Sequence, residues 1–259
     1  MKSLLLSLYE YRELILNLTI NELKLRYRNS ILGFLWQILN PIFYLLILAI
    51  VFSKIIRFHI ENYTIFLFAG LTSWLMIQQT VTIATASVVN NQNLIRKVYL
   101  PKIVFPLSNV LARYVDHLIL TLILFGFLII FKAPFTINLL LIPFIILLHF
   151  LFSLGLSLIF ATAYIKIKDV QHIIAIAFQA LFYVTPIIYS IEILPPNYRP
   201  LFLLNPLYYF VECFRFPIYN SSLPPQNILF VVFILTFFAL FIGLFIFLRN
   251  EKYFVFHLS

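Results

Sequence analysis

The chain has 259 residues, of which 63% are hydrophobic and 10% charged, and its mean hydropathy is +1.03. A soluble domain of this length carries about a quarter charged residues and about half apolar ones, which excludes an ordinary water-soluble enzyme. Disorder is excluded as well, because a disordered chain tolerates far less apolar surface. A net charge of +9 suggests nucleic acid in a polar protein. Here the basic residues punctuate long apolar runs instead, which is the pattern of an integral membrane protein with no nucleic-acid partner.

A helix crossing the hydrocarbon core needs about 20 predominantly apolar residues. In chain order, residues 4–30 do not meet this. Leu4, Leu8, Tyr11, Ile15 and Leu18 recur at helical spacing, while Glu10, Glu13, Asn17, Asn21, Lys24 and Arg28 take the other face. This predicts an amphipathic helix in the headgroup region or on a soluble partner, within a first unit over residues 1–31. No cleavable signal peptide is expected, since Glu10, Arg12 and Glu13 interrupt the early Leu-rich stretch.

Residues 32–259 are expected to form a transmembrane domain of six helices, at about 32–53, 64–88, 104–131, 138–163, 170–190 and 226–248. On the first, Trp36, Asn40 and Tyr44 recur every fourth residue and line one face, with Pro41 loosening the backbone. The inner loop 89–102 mixes amides, apolar residues and adjacent cations. It suits a short helix docking into a partner's groove, with Leu94, Ile95 and Val98 as anchors, or a positive loop that only sets topology. On the third span Arg113 and Asp116 share a face and can neutralise each other; they are read as a structural intramembrane ion pair near the inner interface, with a lining or hinge charge as the alternative. On the fifth, Phe178, Phe182, Thr185 and Tyr189 form a stripe. Aromatic faces stack on sugars and amide or hydroxyl tips bond their hydroxyls, so the first and fifth spans suit a glycan path; ordinary helix packing accounts for any single aromatic in a chain with 30 Phe.

Segment 191–225 carries seven prolines between apolar pieces too short to span. Pro breaks helices and fixes turns, so short helices dipping back into the membrane are expected there, as an outer gate.

With the amino terminus inside, twelve Lys and Arg fall on the cytoplasmic side and five outside, which puts both termini in the cytoplasm. No Gly-rich phosphate loop occurs, the five His have no metal-ligand spacing, and Cys213 is alone. No catalytic residue, metal or cofactor is therefore expected in this chain, and energy for transport against a gradient comes from elsewhere.

Three stretches together resemble the ABC-2 type polysaccharide exporter permeases. Leu25 to Pro41 (LRYRNSILGFLWQILNP) resembles their approach to the first span, and Asn93 to Pro106 (NLIRKVYLPKIVFP) their first inner loop. Lys168-Asp169-Val170, Thr185-Pro186, Leu194-Pro195, Asn205-Pro206-Leu207 and Arg215 resemble their fifth span and outer gate. Lys166 and Lys168 depart from the Arg often found beside this Asp in the family; Asp169 keeps the pattern.

The resemblance implies an all-α membrane fold with six spans, an amino-terminal interfacial helix and re-entrant outer helices between spans five and six. It implies a homodimer in the bacterial inner membrane, bound to two copies of a separate ABC ATPase that holds ATP and Mg. Asn93, Leu94, Ile95, Arg96, Lys97, Val98, Tyr99, Pro101 and Asp169 would couple to that ATPase, and Pro186, Asn205, Pro206 and Arg215 would form the periplasmic gate. The implied cargo is a lipid-linked polysaccharide such as O antigen. Teichoic acid, capsule or small hydrophobic drugs are the alternatives on the same architecture. An energy-independent channel, a secondary transporter and a non-transporting scaffold are the alternatives of other classes.

Overall fold

The computed structural model describes residues 6, 8–27, 32–33, 35–52 and 60–257. The expected features at Lys2, Leu4, Arg28, Lys54, Arg57 and His59 lie outside these residues. The described residues are helical with connecting turns, and no strand occurs among them.

The helices are α1 (Arg12–Tyr27), α2 (Leu35–Ile50), α3 (Tyr63–Thr85), α4 (Ser87–Asn90), α5 (Gln92–Lys97), α6 (Val104–Ile130), α7 (Ile142–Lys166), α8 (Val170–Val184), α9 (Arg199–Leu203), α10 (Pro206–Arg215), α11 (Gln226–Asn250) and α12 (Phe254–His257). Among the described residues, four helical stretches are long and apolar enough to cross a membrane: Tyr63–Thr85, Val104–Ile130, Ile137–Lys166 and Gln226–Tyr253. They match the expected second, third, fourth and sixth spans within a few residues.

The expected first and fifth spans appear as shorter helices. α8 stops at Val184 because Pro186 disfavours helical geometry at the preceding residue, and Thr185 is extended at φ −96, ψ 129. With 16 residues, α2 is about 24 Å long. It carries Pro41 internally, which removes one backbone donor from its ladder.

α3 is the central element, buried around most of its circumference and packed by α6, α7, α10, α2 and α8. α7 and α11 pack most extensively, and glycine permits it. A Cβ on Gly155 would overlap the Ala239 backbone, and one on Gly243 the Gly155 backbone. Where lipid supplies no hydrophobic drive between helices, such close backbone approach provides the packing attraction.

A second apolar cluster closes one end of the bundle. It joins Ile15 of α1, Ile95 of α5, Val104 and Val110 of α6, Leu158 and Ile165 of α7, and Phe247 with Phe254. α1 is seated on α6 of its own chain, a packing its periodicity did not specify, with Ile15 and Thr19 buried. The Thr19 hydroxyl donates to the Ile15 and Ser108 carbonyls, and Asn109 donates to the Glu22 carboxylate at 3.2 Å. Leu16 and Ile20 form a second apolar stripe that stays open.

Candidate functional site

Three features carry the polar chemistry of this apolar chain: a cavity between α2, α3 and α6, an exposed face at the α1 end, and a clamp at the opposite end of α3.

The cavity has a volume of about 360 Å³ and is lined by Trp36, Asn40, Pro41 and Tyr44 from α2, Leu75 and Gln79 from α3, and Arg113, Asp116, His117 and Leu120 from α6. Helical spacing explains the set, because each helix contributes residues three or four apart. The Arg113 guanidinium donates to Asp116 at 3.4 Å, the ion pair expected from their spacing. His117 is buried, with Nε2 3.5 Å from the Thr80 hydroxyl. Trp36, Asn40 and Tyr44 thus share a cavity with the ion pair, a convergence that spacing along single helices did not reveal. Gln79 is not among the expected path residues, and His117, expected only as a polar tip in a packed helix, lines the cavity as well. The adjacent amides Gln78 and Gln79 in mid-span were the available signal, and the two differ: Gln78 accepts from Trp74 Nε1 at 2.8 Å.

The α8 stripe does not enter this cavity. Phe178 and Phe182 meet Trp74 edge-on at 5.9 and 5.8 Å, packing α8 on α3. Thr185 is buried beyond the helix end, and Tyr189 donates to the Tyr183 carbonyl at 2.8 Å. The open face of α8 is Ile173, Ile176, Tyr183 and Val184 instead.

At the α1 end, α5 presents Asn93, Arg96 and Lys97 to the outside, followed by Val98 and by Tyr99, which is 93% exposed. Leu94 is half-buried, and Ile95, expected as an outward anchor, points into the closing cluster and pins α5 to the bundle. The reason is local: a helix of this length has one face against the protein, and Ile95 is on it. Pro101 ends the extended link, and the backbone N–H of Lys102 donates to the Glu251 carboxylate at 2.6 Å. Asp169 is exposed at the start of α8. Beside it the Lys168 ammonium lies 4.8 Å from the Tyr164 ring, and partial burial lowers its pKa.

At the far end of α3, Asn205 accepts from the Leu207 N–H at 3.0 Å, capping α10 ahead of Pro206, and donates to the Thr185 hydroxyl at 2.7 Å. Arg215, 2% exposed, pairs with Glu212 and donates through Nη2 to the carbonyls of Pro186 and Ile187, both at 3.0 Å. Gly70 leaves the space for this guanidinium, since a Cβ there would overlap Nη2. Tyr63 adds a hydroxyl bond to the Ile188 carbonyl at 2.9 Å. Four of the expected gate residues, Pro186, Asn205, Pro206 and Arg215, therefore belong to one connected set on α3.

Deeper, α10 is tied to α3 and α7. The Ser73 hydroxyl lies 2.8 Å from His149 Nε2 and 3.1 Å from the Phe210 carbonyl. His149 Nδ1 is 2.9 Å from the Ile145 carbonyl, which only accepts, so Nδ1 carries the proton. This histidine ties helices together. Among the described residues no group of three His, Cys, Asp or Glu is arranged to hold a metal.

Residues 13–219 match the family model described as ABC-2 type transporter. The chain is 30% identical over 236 residues to an O-antigen export system permease protein RfbA of Klebsiella pneumoniae, covering 91% of each chain. It is 33% identical over 225 residues to the protein of the same name from Myxococcus xanthus, covering 84% of each. To the polysialic acid transport protein KpsM of Escherichia coli it is 26% identical over 251 residues, or 91% of this chain and 92% of that one. With the family model spanning most of its length, the chain belongs to the ABC-2 type transporter family.

Proposed function

We propose that this chain is the membrane permease of an ATP-driven exporter that moves a lipid-linked polysaccharide, O antigen, from the cytoplasm to the periplasm across the bacterial inner membrane. The observation that carries the reading is the pair of relatives at 30% and 33% identity over most of the chain, both named O-antigen export permeases. The polar cavity beside exposed aromatic side chains supports a path for a hydroxylated cargo over one for an apolar drug.

In this reading α2 and α8 complete six spans, residues 1–31 form the interfacial unit, and 32–259 the transmembrane domain. Both termini are cytoplasmic. Two copies of the chain form the channel and bind two copies of an ABC ATPase, which supplies ATP and Mg chemistry. Asn93 to Tyr99, Pro101 and Asp169 form the coupling face, supported by the exposure of Arg96, Lys97, Tyr99 and Asp169 at one end of the bundle. The path is bordered by Trp36, Asn40 and Tyr44 and by the stripe Phe178, Phe182, Thr185 and Tyr189. Segment 191–225, with α9 and α10 as its re-entrant helices, seals the outer end. Closure of the ATPase pushes on the coupling face and α1, and α2 and α8 of the two copies move apart.

The likeness to KpsM, a polysialic acid transport protein, favours a second cargo, polysialic acid, which stands for the capsule alternative. The experiment deletes the gene in its own strain and supplies the chain with its ATPase on a plasmid. Restored O antigen at the cell surface, detected by antibody on intact cells, supports the reading. Surface O antigen that persists without the gene overturns it, and a lost capsule with intact O antigen selects the second cargo.

A further inference from the structure

We propose that the cavity between α2, α3 and α6 is a subsite for one sugar unit of the transported glycan, in which Asn40, Gln79 and the Arg113–Asp116 pair meet hydroxyls while Trp36 and Tyr44 meet the ring face. The assignment rests on the exporter reading above and adds α3 and α6 residues to the path.

Size and lining agree. A volume of about 360 Å³ falls in the range of small-molecule pockets, about 300–1,000 Å³. Trp36 and Tyr44, each more than 40% exposed, offer aromatic surface. Asn40 and Gln79 each bring a donor and an acceptor, which matches a sugar hydroxyl group for group. Arg113 donates and Asp116 accepts, extending the match to neighbouring hydroxyls. Polar and ionisable side chains converging within a membrane bundle are costly and mark a substrate path.

Charge decides against a phosphate. Asp116 pairs with Arg113 at 3.4 Å, so the cation in the lining is already matched by a carboxylate, which repels a diphosphate. A purely apolar ligand would make no use of the Asn40 and Gln79 amides in the lining.

Trp36 is also the reporter. The other tryptophan, Trp74, is buried between α3 and α8. The full chain, purified in detergent, is titrated separately with a neutral hexose oligosaccharide and with sodium pyrophosphate while tryptophan emission is followed. The expected result is a saturable change with the oligosaccharide and none with pyrophosphate, absent in Trp36→Phe. Gln79→Leu, which keeps the packing volume, weakens the apparent affinity about fivefold, as for one lost hydrogen bond. A change with pyrophosphate alone, with neither probe, or unaltered in Gln79→Leu overturns the subsite. The exporter reading is read out independently on cells. Restored surface O antigen without an emission change sinks only the subsite, and an emission change without restored O antigen sinks only the exporter.

Discussion

The guanidinium carbon of Arg215 stands 3.9 Å from the centroid of the Phe66 ring, so a buried cation at the end of α10 is held against α3 by an aromatic face. The same side chain pairs with Glu212 and donates to two carbonyls of the segment after α8. One residue therefore joins three parts of the chain, and it does so only because Gly70 opposite has no side chain.

Removing this cation strands Glu212 and two carbonyls. Arg215→Met is expected to cost about 3 kcal/mol, as for breaking one side of a buried ion pair. Arg215→Lys keeps the charge but offers no planar fork, and falls between the two. Gly70→Ala, which drives a methyl against the guanidinium, is expected to cost about 1–3 kcal/mol. Thermal unfolding in detergent checks all three.

Asn205 performs two tasks with one amide, and substitutions separate them. Thr185→Val removes the hydroxyl that accepts from Asn205 and donates to the Leu181 carbonyl, while Asn205→Ala removes the same bond and uncaps α10, a loss of about 1 kcal/mol by itself. The double variant is expected to be less destabilised than the sum of the singles by about 1 kcal/mol. Additive losses in unfolding measurements would remove the bond.

The α7–α11 crossing tolerates no bulk. Gly243→Ala places a methyl on the Gly155 backbone and Gly155→Ala one on the Ala239 backbone; each is expected to cost about 1–3 kcal/mol. Gly126→Ala is the control, because nothing lies within 4 Å of its added carbon. It is expected to hold or raise the unfolding temperature, since Ala favours helix over Gly.

On α5, stability and coupling separate between neighbours. Ile95→Ala opens a void in the closing cluster, with an expected loss of about 2 kcal/mol. Tyr99→Ala, at a side chain 93% exposed, is expected to change stability by no more than about 0.5 kcal/mol. It lowers ATP hydrolysis stimulated by the permease when the ATPase subunit is present. Unchanged stimulation in Tyr99→Ala and Lys97→Ala together would take this face out of the mechanism.

The sequence by itself determined where this chain forms helices. In lipid each backbone donor and acceptor must be met within its own segment, so long apolar runs become helices, and the limits of α3, α6, α7 and α11 follow within a few residues. Some local chemistry was equally legible: Arg113 with Asp116 form their pair through helix spacing alone. The stop of α8 before Pro186 was not, since an apolar run continuing to residue 190 masked it.

Only the tertiary structure decided which faces meet. Apolar periodicity marks a buried face in water, but in a membrane a lipid-facing side chain and a helix-facing one are both apolar. The sequence therefore could not turn Phe178 and Phe182 toward Trp74, or Ile95 inward rather than outward. Nor could it bring Gln79 to the ion pair on α6, or Arg215 to Phe66 and Gly70. Those juxtapositions depend on how α3 is surrounded, and packing of whole helices sets them.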